Sequence, residues 1–531
     1  MRNGSVFGIL GRDVHGQSRL PLLSLVCVCP AQFRLRGIPQ NIRTSRWRVK
    51  VSCRYNGVLP MATFHVLNFG CRASQADGAA LKKQLLAVGL AEVEGAEQSE
   101  IAILNTCTVT ATADAEVRQL IRRIHRANPD CRILVTGCYA QRSPGEIARL
   151  PGVTWVVGNS HKHSLAKLLK GEFGEGGDPT ASDRATRLLA TGVLASPTDK
   201  PVPGTMSSPG DSSTPVSPAR VLVGEISAEF HFAPVFPDDR TRPTLKLQDG
   251  CNARCSFCII PDVRGRSRSM APHQVIEQIR ELEAAGYKEV VLSGISLGSY
   301  GKDLERRTTF LGMLERLLAE TSIPRLRLSS IELMDVSPAL IRLVARETRL
   351  AQHFHVPLQS GCDRILRRMN RRFWAAQYAE RLLAIREQIP NCGIGADVMV
   401  GFPGETAADH ATSARFIESL PYTYVHVFPY SQRPRTPAAS FSGQVNGRVA
   451  RERGQEIRAI VQGKRQAFLA AQIGCSLSAV TLDESAGGKR VALTSNYLKA
   501  LLPGSHLPPN TLLDIRVGRV HDGLLCAYPE A

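Results

Sequence analysis

Cys251, Cys255 and Cys258 stand in one short stretch, Cys-Asn-Ala-Arg-Cys-Ser-Phe-Cys, between Leu247-Gln-Asp-Gly250 and Ile259-Ile-Pro261. Three thiolates at this spacing can each hold one iron of a four-iron cluster, and no fourth cysteine stands beside them to close it. One iron is left open. An open iron is a binding site, so the cluster reads as a reactive one rather than a wire for electrons. A zinc site competes, but it would need a second Cys or Cys/His pair to complete a tetrahedron, and the segments just after Cys258 offer none. A metal-free group of cysteines is the other alternative, although buried cysteines seldom recur at so short a spacing.

A second set is dispersed. Cys71 lies in Asn68-Phe-Gly-Cys71, Cys107 in Asn105-Thr-Cys107 and Cys138 in Thr136-Gly-Cys138. Each follows a short apolar run that reads as a strand: 64–67, 101–104 and 133–135, with a fourth at 154–157. Helices are predicted over 79–90 and 115–127, the second carrying Val117, Leu120, Ile121 and Ile124 on one face. Strands alternating with helices predict a parallel, doubly wound sheet, and open sheets of this kind build their sites at the carboxyl ends of the strands. The three cysteines would converge there, as a second three-ligand cluster or as a coincidence of packing; Gly70 and Gly137 allow the close backbone approach that a cluster needs. Cys131 precedes its strand and reads as a packing residue.

Fourteen cysteines in 531 residues are too scattered for a disulfide framework and fit a reducing compartment, here the cytoplasm. Lys and Arg outnumber Asp and Glu by 66 to 47, a formal charge of +19 that points toward a polyanionic partner. No apolar run reaches membrane-spanning length, so no membrane partner is expected. Residues 1–60 hold ten of the basic residues against a single acid, Asp13. They read as a transit leader or, preferably, as an untranslated or disordered extension ahead of Met61.

Residues 62–170 form the first domain, and 171–243, rich in Gly, Pro, Ser and Thr, read as a linker or insert. Over 244–465 six strand and helix units follow, with strands at 244–247, 289–293, 325–329, 352–356, 395–400 and 424–428. Six are too few for a closed eightfold barrel, so an open, partial (β/α) barrel is predicted, its site at the strand carboxyl ends. Cys251 follows the first of these strands. Other strand ends carry Gly294, Ser329-Ser-Ile-Glu332 and Gly401, candidates to approach a cofactor, although each could be an ordinary turn. A basic helix over 449–473 leads into five short strands in 466–531, a small antiparallel barrel of the oligonucleotide-binding kind or a capping domain. Its charges balance, so any RNA grip there must be local.

In this order, the motifs over 62–531 resemble those of the radical S-adenosylmethionine methylthiotransferases. They are Gly70-Cys-Arg-Ala-Ser-Gln-Ala-Asp77, Asn105-Thr-Cys-Thr-Val-Thr110, Gly137-Cys-Tyr-Ala-Gln-Arg142, Cys251 to Cys258 with Phe257 before the last cysteine, Arg264-Gly-Arg-Ser-Arg268, Pro357-Leu-Gln-Ser-Gly361 and Val400-Gly-Phe-Pro-Gly-Glu405. The resemblance implies a flavodoxin-like domain with an auxiliary [4Fe-4S] cluster on Cys71, Cys107 and Cys138. It further implies a radical [4Fe-4S] cluster on Cys251, Cys255 and Cys258 with S-adenosylmethionine on its open iron, and a C-terminal TRAM-like barrel that helps dock RNA. Phe257, Gly294, Ser329, Glu332 and Gly401 are the expected cofactor contacts.

Gly-Cys-Arg-x-x-Gln-Ala and Thr-Cys-Thr-Val-Thr are most similar to the branch acting on N6-threonylcarbamoyladenosine in tRNA; Ala73 and Ser74 replace its usual Val-Asn. The implied reaction adds a methylthio group to carbon 2 of that base, next to the anticodon at position 37. Carbon 2 is unactivated, so acid/base chemistry has little purchase and a radical from a cofactor is required. The implied partners are a tRNA anticodon loop, a one-electron donor such as flavodoxin or ferredoxin, and a sulfur source. Isopentenyladenosine tRNA or a ribosomal protein are alternative substrates. A non-catalytic iron–sulfur RNA-binding protein is an alternative of another class. Arg264, Arg266 and Arg268 read as phosphate or cofactor contacts, or as a solvated face.

Overall fold

The computed structural model describes residues 62–173, 219–226, 241–504 and 506–530, together with two strands, Ser24–Val28 and Lys50–Arg54, that pair in parallel. The expectation for 1–60 otherwise lies outside the described residues.

The first domain is built on six strands in the spatial order Ala91–Glu92, Thr63–Asn68, Ile101–Thr106, Arg132–Gly137, Val153–Val157, Arg220–Leu222, all parallel. The first five follow the flavodoxin-like order, with its switch point between Thr63–Asn68 and Ile101–Thr106. Alternation along the central strand explains the layering. Ile101 and Ile103 pack with Leu81, Leu85 and Leu169 on one face, and Ala102 and Leu104 pack with Val117, Ile121 and Ile124 on the other. The sixth strand falls within the stretch read as a linker.

The predicted barrel is present as six parallel strands, Thr244–Asp249, Glu289–Gly294, Arg325–Leu328, His353–His355, Gly393–Val400 and Tyr424–Pro429. Isolated bridges, Leu326 to Leu350 and Ser330 to His355, carry the sheet across its middle. Ile394, Ala396, Val398 and Val400 face the helical layer, which leaves Gly395, Asp397 and Met399 toward the lumen. The helix Gly447–Ala470 runs across the boundary expected near 465. It ends at a closed five-stranded barrel: Ser476–Ala486, Lys489–Thr494, Lys499–Leu502, Leu524–Pro529 and Leu512–His521. Among the described residues no helix is long and apolar enough to cross a membrane.

Candidate active site at the seam of two domains

Cys71 and Cys107 leave the sheet on the two strands that flank the switch point, and Cys138 leaves the next strand. Gly70 and Gly137 take left-handed φ of 92° and 97°. A Cβ on Gly70 would lie 2.7 Å from the Cys107 sulfur, and one on Gly137 would lie 2.3 Å from the Thr106 carbonyl, so both turns require glycine. Cys71 stands at the N-cap position of the helix Arg72–Ala87. The helix begins well before the expected residue 79, because Ala73, Ala76, Ala80 and Leu81 bury its first turns against the sheet.

The cysteines sense one another. Burial, then the nearby Cys138 and Cys71 thiols, push Cys107 up to about 12. The second triad behaves alike: burial above all, with Cys255 and Cys251 adding, pushes Cys258 up to about 12. Thiols crowded this way become thiolates only when a cation neutralises them, which is what an iron cluster provides. A single ion fits less well. Zn–S bonds of about 2.3 Å would hold the sulfurs about 4 Å apart. Among the described residues only His355, Asp397 and His426 bring three ligand atoms within 4.8 Å of one another.

Several contacts shape the loop that carries Cys251, Cys255 and Cys258. Gly250 has φ of 73°, and a Cβ there would meet the Arg266 carbonyl at 2.0 Å. Cys251 N–H donates to the Gly265 carbonyl, Ser256 N–H to the Met369 carbonyl, and Asn370 Nδ2 to the Arg254 carbonyl. Arg371 reaches the Cys255 sulfur at 3.7 Å and pairs with Glu332 at 2.6 Å. Glu332 is 40% exposed on its side chain. Ser329 Oγ is buried without a partner, a donor left available on the same strand end.

Other expected cofactor contacts have packing neighbours. Phe257 meets Phe402 edge to face at 6.4 Å, in a cluster with Met369 and Cys362. Gly294 closes on Gln248, where a Cβ would stand 3.0 Å from Oε1. Gly401 (φ 72°) approaches Ala450 so closely that a Cβ would meet its methyl at 2.7 Å, and its N–H is taken by Glu405. Glycine at 401 thus has a structural reason in the helix Gly447–Ala470.

The first triad meets the segment that follows the second at the seam between the first domain and the partial barrel. Cys138 packs against Ile259 and Val263, the residues that follow Cys258, and Asn159 Nδ2 bridges the Cys138 sulfur (3.6 Å) and the Val263 carbonyl (2.8 Å). Beneath them lies a buried charge network. Asp77 accepts from Lys162 (3.1 Å), Arg264 (3.1 Å) and Lys246, while Asp249 accepts from Lys246 (2.7 Å) and Arg264 (3.0 Å). Burial would raise Asp77, but Lys162, Lys246 and Arg264 hold it far below the usual carboxylate range. Arg264, read from sequence as a phosphate or cofactor contact or a solvated arginine, is 2% exposed and serves this network, and Arg268 donates to the Arg264 carbonyl. A further buried bridge, Asp114 with Arg142 and Arg433, ties the far side of the same seam. Lys246, Arg371 and Arg433 escaped sequence reasoning, because a lone cation within a strand or loop carries no spacing signal.

Residues 63–158 match the family described as uncharacterized protein family UPF0004, and residues 245–417 match the radical SAM superfamily. The threonylcarbamoyladenosine tRNA methylthiotransferase MtaB of Aquifex aeolicus (strain VF5) is 34% identical over 432 residues, covering 81% of this chain and 94% of that protein. The MtaB of Bacillus subtilis (strain 168) is 34% identical over 451 residues, covering 84% and 91%. A tRNA-2-methylthio-N(6)-dimethylallyladenosine synthase of Pelotomaculum thermopropionicum is 31% identical over 404 residues, covering 75% and 81%.

Proposed function

The chain belongs to the radical SAM methylthiotransferases of the MtaB type, and on that premise we propose that it adds a methylthio group to carbon 2 of N6-threonylcarbamoyladenosine, beside the tRNA anticodon. S-adenosylmethionine and iron–sulfur clusters are its cofactors. Cys71, Cys107 and Cys138 would hold the auxiliary cluster, and Cys251, Cys255 and Cys258 the radical one. When bound, the clusters supply one-electron cleavage of S-adenosylmethionine and the sulfur that is transferred.

The observation that carries this reading is that Cys138 of the first triad is seated on the residues that follow Cys258 of the second. Neither triad is useful alone, since hydrogen removal and sulfur delivery must reach the same carbon. Arg371 places a positive charge beside Cys255 and orients Glu332, while Ser329 and Gly294 line the strand ends where the cofactor would lie. Asp77 and Arg264 tie the two halves together, and the seam they hold would limit the water that reaches the reacting base. The proposed domains are 62–170 with Arg220–Leu222 added to their sheet, 244–465 and 466–531. An electron donor such as flavodoxin or ferredoxin, a sulfur source and a cytoplasmic location complete the proposal.

Mass spectrometry of tRNA nucleosides from the host, with and without this gene, tests it. Loss of methylthio-threonylcarbamoyladenosine with accumulation of its unmethylthiolated form is expected. An unchanged nucleoside pool would overturn the substrate.

A further inference from the structure

Arg72, the residue after Cys71, crosses from the first domain and donates to the Tyr497 hydroxyl of the C-terminal barrel at 3.2 Å. Among the described residues Arg72 has no carboxylate partner. The tyrosine is held in a left-handed conformation (φ 69°), and its ring stacks on His353 at 4.4 Å. His353 stacks in turn on Tyr424 and hydrogen-bonds its hydroxyl at 2.8 Å. Three segments far apart in sequence thus meet at one wall of the barrel lumen.

The wall continues in polar groups. His355 and His426 flank Tyr424, with ring centroids 5.9 and 5.3 Å from it, and Asp397 stands 3.4 Å from His355 Nε2. His355 Nδ1 is oriented by Ser330 at 2.7 Å, on the strand end that also carries Glu332 beside Cys255. Through Ser330 the wall is thus linked to the strand end whose Glu332 pairs with Arg371, the residue that reaches Cys255. Its field is positive: Glu289 is shared by Arg242, Arg325 and Arg327, and Arg72 adds a fourth cation. Burial and then the surrounding cations, Arg72 among them, keep His353 neutral.

We propose that Arg72, with His355, Asp397 and His426, forms the subsite for the polar substituent on the target adenine, Arg72 holding its carboxylate. This rests on the substrate reading above and deepens it. A threonine joined through its nitrogen to a carbamoyl group keeps a free carboxylate and a free hydroxyl. The carboxylate suits an arginine without a counter-charge, and the hydroxyl and ureido groups suit Asp397 and the two imidazoles. An apolar prenyl substituent in the same place would leave these groups desolvated and unpaired, which a hydrogen-bonding site rejects strongly.

The test uses the full chain with its clusters loaded, and three forms of one tRNA: threonylcarbamoylated, threonylcarbamoylated with the threonine carboxylate capped as an amide, and dimethylallylated. Methylthio product, deoxyadenosine and iron content are measured together. Wild type is expected to prefer the free carboxylate over the capped form by about ten- to a hundredfold in kcat/KM. Arg72→Gln should erase that preference through KM while still cleaving S-adenosylmethionine, and Arg72→Lys should restore part of it. Should Arg72→Gln lose iron, His426→Ala, remote in sequence from both triads, must raise KM for the threonylcarbamoylated tRNA. Equal losses of Arg72→Gln on free and capped substrates would instead assign Arg72 to an RNA phosphate and overturn the subsite, as would wild-type kinetics. Wild-type product on dimethylallylated tRNA alone would remove the substrate reading itself, and the subsite with it.

Discussion

Arg264 donates to Asp77 at 3.1 Å, joining the segment after one cysteine triad to the helix after the other. This contact ties the first domain to the partial barrel. Because both partners are buried, each depends on the other for its charge.

Asp77→Asn would remove the carboxylate that Lys162, Lys246 and Arg264 share, while Asp249 faces only Lys246 and Arg264 of the three. A destabilisation of about 3–5 kcal/mol is expected for a broken buried pair. Calorimetry should show it. The ratio of deoxyadenosine to methylthio product should rise as well, since a loosened seam separates cleavage from transfer.

The triads should fail differently. Cys71→Ala is expected to keep cleaving S-adenosylmethionine while forming no methylthio product, and Cys255→Ala to form no deoxyadenosine at all. Iron per chain should fall in both. Product from Cys71→Ala would remove the auxiliary role of the first domain.

Gly250→Ala tests the loop. Its Cβ would stand 2.0 Å from the Arg266 carbonyl at a positive φ, so the turn into Cys251 must open. The strain is of order 1–3 kcal/mol before the clash is counted. Iron content should drop to that of the first-domain site, with the Cys71 triad still loaded.

Glu289 should shape the acid limb of stability. Burial pushes its carboxyl up, but Arg327, with Arg242 and Arg325, holds it at about 2 against an ordinary 4.5. A depressed carboxyl stabilises the fold above its unfolded pKa and loses that contribution as pH falls, here between about 4.5 and 2. The contribution is about 3 kcal/mol at neutral pH. Glu289→Gln should therefore melt earlier at pH 7 and show a flatter stability profile below pH 4.5.

The six cysteines were legible in the sequence for two reasons. Close spacing marked Cys251, Cys255 and Cys258, and apolar runs placed Cys71, Cys107 and Cys138 at the ends of strands. The partial barrel was legible from its six repeats of strand and helix. What lay hidden was pairing at long range. Arg264 looks like a surface arginine until Asp77 comes beside it, and nothing local in Arg72 announces Tyr497. The strand Arg220–Leu222 was hidden for another reason. Only three residues long and set among Pro, Ser and Gly, it has no period to read and is held by Val153–Val157.

That edge strand also sets an order of assembly. On a ribosome the sheet built by Thr63 to Val157 stays open at one edge until Leu222 has emerged, long after the cysteines that end its strands. Cys71, Cys107 and Cys138 can thus come together on a domain not yet closed, and the barrel begins only about twenty residues beyond the closing strand. A nick between Phe173 and Arg220 would leave two fragments still hydrogen-bonded through the same edge, so the first domain is complementable by its own downstream piece.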